Sequence, residues 1–221
     1  VSLVKIENEN SKERERIQNL YSYDLLDTPV EEEFDALTKL AGEICEMPVS
    51  LLTLLDVERQ WFKSKIGTEV SETPRDFAFC NDTILGNKVL EIKDLLKDDR
   101  FSSNPLVFEE PKVRFYAGAP LIDENGMALG SLCVLDVKPG ELSEWQKEAL
   151  KTLASEAISR MELRKYRNNL EKLVSKQTQH LQAVNNELEE KNSELQDFIY
   201  HASHDLRGPV SSILGMTQLI N

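Results

Sequence analysis

His204 is followed directly by Asp205, and Gly208 and Pro209 come within the next turn, in the run His201 to Val210, HASHDLRGPV. A carboxylate beside an imidazole can hold one ring nitrogen as an N–H donor and leave the other neutral and nucleophilic. The surrounding residues read as helix, because Leu195, Phe198, Ala202 and Leu206 recur at spacings of 3, 4 and 4, the pattern of one buried stripe. His204 sits two residues from Ala202 and from Leu206, roughly 200° round at ~100° per residue, so its ring is expected to face away from that stripe. Pro209 lacks the N–H that would bond the carbonyl of Asp205, and Gly208 is a weak helix former, so a helix break is expected there. His201, one turn earlier, has no acidic neighbour and reads as a surface residue. A second group consists of Trp61, Phe62, Arg114, Phe115 and Tyr116, side chains on strand-like runs that are candidates to line a small-molecule pocket, with Cys80 as a candidate anchor nearby.

The segment SHDLRGPV, within F-x5-HD-LR-x-P from Phe198 to Pro209, resembles the H-box of sensor histidine kinases. That resemblance implies that His204 is a phosphoacceptor. It would take the γ-phosphoryl group of ATP and pass it to an aspartate of a response-regulator receiver domain, with Asp205 assisting the imidazole. The position four after the histidine, usually Thr or Asn in that family and linked to dephosphorylation of the regulator, is Gly208 here. The intact parent is expected to be an ATP-dependent protein-histidine kinase, whereas the ATP-binding domain is absent from this sequence.

Composition restricts the alternatives. The 221 residues are 40% hydrophobic and carry a formal charge of −13, which suits one globular core plus an extended element and argues against nucleic acid or an anionic membrane surface as partner. Cys45, Cys80 and Cys133 have no CxxC spacing and read as reduced thiols. With no signal peptide and no run long enough to span a bilayer, a cytoplasmic protein is expected. The sequence opens on Val1 and stops at Asn221 inside a helical pattern, so a piece of a longer protein is expected.

Taken in order, Ser11 to Leu26 reads as a charged helix. Thr28, Pro29 and Glu31 form a T-x-x-E capping box before a helix bearing Phe34, Leu37, Leu40, Ala41 and Ile44. Val49 to Val57 and Arg59 to Ile66 read as paired strands, residues 72–76 as a loop, Phe77 to Leu85 as a short helix, Val89 to Ile92 as a strand and Lys97 to Pro111 as a polar loop. Val113 to Ile122 and Met127 to Asp136 flank Asn125-Gly126, a hairpin signature. The fold class is therefore α+β, with helices on one face of an antiparallel sheet. The blocks LLDTPVEEEFDALTKLA, DVERQWFKSKIG, TPRDFAFC, RFYAGAPL and LGSLCVLD resemble a GAF domain of the kind found in sensor kinases. That resemblance implies a six-stranded antiparallel sheet flanked by helices and a ligand pocket on the face away from the terminal helices.

All three histidines, His180, His201 and His204, follow the GAF-like region, which leaves it no imidazole for haem iron, and three cysteines do not supply the four thiolates of an iron–sulfur cluster. No metal site is expected, and the ligand of the pocket is left open. Beyond it, Ser143 and Gln146 form a second capping box, and no glycine or proline occurs from Glu144 through Arg207, enough for roughly 96 Å of helix at ~1.5 Å per residue. Its seam runs Leu163, Tyr166, Leu170, Leu173, Gln177, Leu181, Val184, Leu188, Lys191, Leu195, Phe198, a coiled-coil pattern with a stutter at Gln177. A parallel homodimer is expected. The expected organisation is an N-terminal extension over 1–10, a GAF domain over 11–161, a signalling coiled coil over 162–194 and a first phosphotransfer helix over 195–221. Two other functions fit the same residues: a dimerising scaffold with an idle histidine, and a photoreceptor carrying bilin on Cys80.

Overall fold

The computed structural model describes residues 3–218 and divides into two compact units that meet between Tyr166 and Arg167. The first unit contains helices α1 (Leu3–Tyr21), α2 (Glu32–Cys45), α3 (Cys80–Thr83) and α4 (Pro105–Phe108). Its strands are β1 (Val49–Leu55), β2 (Arg59–Ile66), β3 (Glu72–Pro74), β4 (Leu90–Ile92), β5 (Phe115–Ile122) and β6 (Ala128–Asp136). A last helix, α5 (Glu144–Gln218), begins in this unit. The six strands form one antiparallel sheet in the order β3-β2-β1-β6-β5-β4, the expected α+β arrangement.

The β5–β6 hairpin turns where the Asn-Gly pair predicts. Gly126 takes φ +76°, a region open to glycine at little cost, and the Asp123 carboxylate accepts from the backbone N–H of Asn125 and Met127 at 3.1 and 2.8 Å. One face of the sheet is closed by helices. Phe34, Leu37, Ala41 and Cys45 of α2, Leu20 of α1, and Leu150, Ala154, Ala157, Ile158 and Met161 of α5 pack on Leu52, Leu54, Ala117, Leu132 and Val134.

Three local expectations are corrected. Residues 72–74 are not loop but edge strand β3, paired with β2 through Arg59 to Trp61. Helix α1 starts at Leu3, ahead of the expected Ser11. The T-x-x-E box does not cap α2, whose N-cap Glu31 makes no side-chain cap bond. Thr28 Oγ1 instead donates to the Leu25 carbonyl at 2.6 Å, and Glu31 is drawn to cations described below. The box at Ser143 does form: Ser143 N–H donates to Gln146 Oε1 at 2.9 Å and Gln146 N–H to Ser143 Oγ at 3.3 Å.

The second unit is α5 from Arg167 onward. Gly208 and Pro209 do not break it, for the helix runs on to Gln218; a single missing N–H removes one hydrogen bond of the ladder and leaves its neighbours intact. Leu170, Leu173, Leu181, Val184, Leu188, Leu195 and Phe198 are exposed in the single chain. The side chains of Leu206 and Pro209, and residues 219–221 of the expected phosphotransfer helix, lie outside the described residues. Among the described residues no helix is long and apolar enough to cross a membrane.

Candidate functional sites on the sheet and on the helix

Among the described residues the sheet face opposite the helices is covered by short elements, and between them and the sheet lies a partly open cavity of about 170 Å³. Strand alternation decides which residues reach it. Val49 and Leu51 of β1, Gln60 and Phe62 of β2, Tyr116 of β5 and Cys133 and Leu135 of β6 line it from the sheet, while Phe79, Cys80, Leu106 and Val113 close it from α3, α4 and the loops. Of the six candidate pocket residues named from sequence, Phe62, Cys80 and Tyr116 are there. Trp61, Arg114 and Phe115 are not. Trp61 is one residue out of phase with Phe62 and packs in the helix-side core, as does Phe115. Arg114 precedes β5 and binds Asp94 in a fork, Nε to Oδ1 at 2.8 Å and an Nη to Oδ2 at 2.9 Å.

The cavity walls are apolar but one part is polar and buried. Cys80 Sγ lies 2.8 Å from Ser131 Oγ, 3.1 Å from Gln60 Nε2, and 3.4 Å from both Thr53 Oγ1 and the Tyr116 hydroxyl. The Tyr116 hydroxyl also meets Thr83 Oγ1 at 2.7 Å. Cys133 lines the same cavity, and both cysteines are 1% exposed. Burial alone raises a thiol pKa, but the bonds that Cys80 receives from Cys133, Ser131, Thr53 and Tyr116 outweigh it and hold that thiol below its ordinary value. The Cys133 thiol moves the other way, raised by its bond to Cys80 and by burial. Cys80 therefore ionises first. Gln60, Thr53 and Ser131 were missed in the sequence, where they look like ordinary strand residues; their parity with Phe62, Leu51 and Cys133 is the signal that places them on this face.

On α5, His204 and Asp205 are both open to solvent, their side chains 73% and 84% exposed, with Nδ1 3.5 Å from Oδ1. A Cβ added at Gly208 would meet nothing within 4 Å.

A match to the GAF domain family spans residues 29–160, more than half of the chain. The chain belongs to the GAF domain family. A cyclic di-GMP phosphodiesterase of Pseudomonas aeruginosa is 41% identical over 138 residues, which is 62% of this chain and 24% of that protein, so the chain spans about a quarter of that relative's length. The GAF domain from an Acinetobacter phosphoenolpyruvate-protein phosphotransferase superposes with a TM-score of 0.51 at 16% identity, over 73% of this chain and 95% of that one. The blue-light absorbing form of the Thermosynechococcus elongatus PixJ GAF domain superposes with a TM-score of 0.50 at 15% identity, over 75% and 94%. These two likenesses concern the fold. The family match ends before the segment that carries His204.

Within the GAF domain, one ion cluster ties the sheet to α5. The register of β1 on β2 slips so that Leu52 pairs with Ser64 and Thr53 with Phe62, leaving Lys63 bulged. Alternation sends Phe62 to the cavity and Lys63 to the helices, and the bulge leaves Ser64 on the helix side too, where its hydroxyl donates to Asp35. The Lys63 side chain is 0% exposed and its amine donates to Glu31 Oε1 at 2.6 Å, the Pro29 carbonyl at 2.7 Å and Thr28 Oγ1 at 2.9 Å. Arg164 of α5 binds the same Glu31 at 3.2 Å and the Asp24 carbonyl at 2.9 Å. The failed capping box is thus a lysine site. The hairpin holds the same part of α5, since Glu124 N–H donates to Glu162 at 3.1 Å and the Tyr166 hydroxyl to Glu124 at 3.0 Å.

Proposed function

We propose that this chain is the sensory and phosphoacceptor portion of a two-component sensor histidine kinase. Its GAF domain takes a small ligand in the sheet cavity, and occupancy biases α5 through the Lys63–Glu31–Arg164 cluster. His204 then accepts the γ-phosphoryl group of ATP from an ATP-binding kinase domain and passes it to a receiver aspartate, with Asp205 orienting the ring. One observation carries the reading: an imidazole, 73% exposed and beside a carboxylate, stands on the same helix whose first turns pack on the GAF sheet. The exposed apolar row from Leu163 to Phe198 supports a parallel homodimer through α5, since a lone helix would leave that row in water. A cavity of about 170 Å³ is below the roughly 300–1,000 Å³ of pockets for drug-sized ligands, which favours a small ligand over a linear tetrapyrrole on Cys80.

The second reading follows the Pseudomonas relative, in which 41% identity ties this GAF domain to a cyclic di-GMP phosphodiesterase output. Phosphorylation in trans separates the readings. With labelled ATP and an ATP-binding kinase domain, label is expected on the wild-type chain and at background on His204→Gln, at equal folding by circular dichroism. Equal label on both chains removes His204 as acceptor. No label on either sinks the kinase reading and leaves the phosphodiesterase input or a scaffold. Sedimentation of a monomer at micromolar concentration would remove the dimer.

A further inference from the structure

Cys80 and Cys133 are the two thiols of the GAF domain that line the cavity, and Cys80 Sγ lies 2.8 Å from the hydroxyl of Ser131, two residues before Cys133 on the same face of β6. They reach it from different elements, Cys80 from the four-residue helix α3 and Cys133 from the central strand β6. The third cysteine, Cys45, lies on the other side of the sheet in the helix-side core. The cavity is about 170 Å³, and Asp136 is the one charged side chain among the described residues that line it. An anionic tripeptide disulfide is too large and of the wrong sign for such a space. A small neutral oxidant fits it.

We propose that Cys80 and Cys133 form an oxidisable dithiol, a modification site for a small hydroperoxide that enters the cavity and converts the pair to a disulfide. In the first step the Cys80 thiolate attacks one peroxide oxygen. The S–O bond forms, the O–O bond breaks, and the leaving hydroxide takes a proton to become water, so Cys80 is a sulfenic acid. In the second step the Cys133 sulfur, its proton passing to the departing hydroxyl, attacks the Cys80 sulfur, and a second water leaves. Two thiols lose two electrons and one peroxide gains them. The hydrogen bonds to Cys80 from Gln60, Ser131 and Tyr116 favour its thiolate, the reactive form in such attack. Closing the bond brings the two sulfurs to ~2.05 Å and pulls α3 onto β6, which changes the floor of the cavity. The inference adds to the reading above by naming what the cavity senses, and it depends on that reading only for what happens downstream.

The test uses the whole reduced chain and hydrogen peroxide as probe, with thiols counted in denaturant and linked peptides mapped by mass. Two of the three thiols are expected to disappear together, in a peptide pair joining Cys80 to Cys133 that a dithiol reductant reverses, and at least about ten-fold faster than loss of Cys45. In Cys133→Ser, dimedone is expected to trap the Cys80 sulfenic acid. Persistence of all three thiols, a linkage through Cys45, or equal dimedone labelling of Cys45 and Cys80 overturns the proposal. The wild-type map needs no variant to fold. A chain that fails this test while its His204 still takes phosphate keeps the proposed function and loses this inference alone.

Discussion

The two faces of the sheet bury similar side chains and do different things with them. On the helix side, Leu, Phe and Ala from α2 and α5 interlock, and the buried lysine is matched by a carboxylate and two oxygen acceptors. Cys45 there has burial as the cause acting on its thiol, which is pushed up to about 11. On the cavity side, coverage comes from four-residue helices and loops, and Cys80 sits among hydroxyls and a second thiol that lower its pKa against the rise that burial causes. The difference teaches that burial alone does not make a cysteine inert. What matters is whether the neighbours can donate to sulfur, and strand parity settles that before any ligand arrives.

The largest effect that can break this comparison is a pair of truncations. Phe34 is fully buried between α2 and the sheet, and Phe34→Ala is expected to cost about 4 kcal/mol, the removed ring plus the cavity it leaves. Phe62 lines an existing cavity, so Phe62→Ala adds little new void and is expected to cost about 2 kcal/mol. Urea unfolding of both variants, at unchanged slope, gives the difference. Equal losses would mean that the cavity side is as tightly packed as the helix side.

Most of the fold could be read from the chain, and the reasons are local. The hairpin at Asn125-Gly126 and the Ser143–Gln146 box are complete within a few residues, and β2 was bounded correctly at Arg59 and Ile66. What escaped needed partners distant in sequence. Thr28 and Glu31 have the spacing of a cap, but Lys63 and Arg164 claim them. Arg114 looked like a pocket cation until Asp94 took it. At the helix site, the expected outward face of His204 rests on helical phase alone, whereas the thiol cluster required four strands to be put in register.

Glu31 gives the next effect. Glu31→Ala leaves the Lys63 ammonium buried against neutral oxygens and frees Arg164, a loss expected at about 3 kcal/mol at pH 7. Burial pushes the Glu31 carboxyl up, but the Lys63 hydrogen bond and charge, with Arg164 behind them, hold it below its ordinary value of 4.5. A depressed carboxylate stabilises the fold above its unfolded pKa and ceases to do so as pH falls through the folded value. The gap between wild type and Glu31→Ala should therefore be constant near neutrality and shrink below about pH 4.5. A gap that stays level down to pH 3 would show that Glu31 acts through packing, and would remove the electrostatic link between β2 and α5.

The smallest effect is the sharpest, because it changes one methyl on one strand. Ala117 and Ala119 of β5 face the helix side and already carry a Cβ in a filled core. Gly118 between them faces the cavity, where an added Cβ would lie 2.2 Å from the Tyr116 hydroxyl oxygen, 2.8 Å from Tyr116 Cζ and 3.1 Å from Thr83 Oγ1. The ring is 1% exposed and cannot simply swing into solvent. Gly118→Ala must therefore displace Tyr116 from Thr83 and Cys80, at a cost of about 2 kcal/mol. Tyr116→Phe removes the oxygen that makes the shortest contact, so adding it to Gly118→Ala is expected to restore about 1 kcal/mol rather than to add a second loss. Chemical denaturation of the two single variants and the double gives the coupling directly. Simple additivity would mean that Tyr116 does not rest against Gly118, and that the hydroxyl bed around Cys80 is held by some other contact.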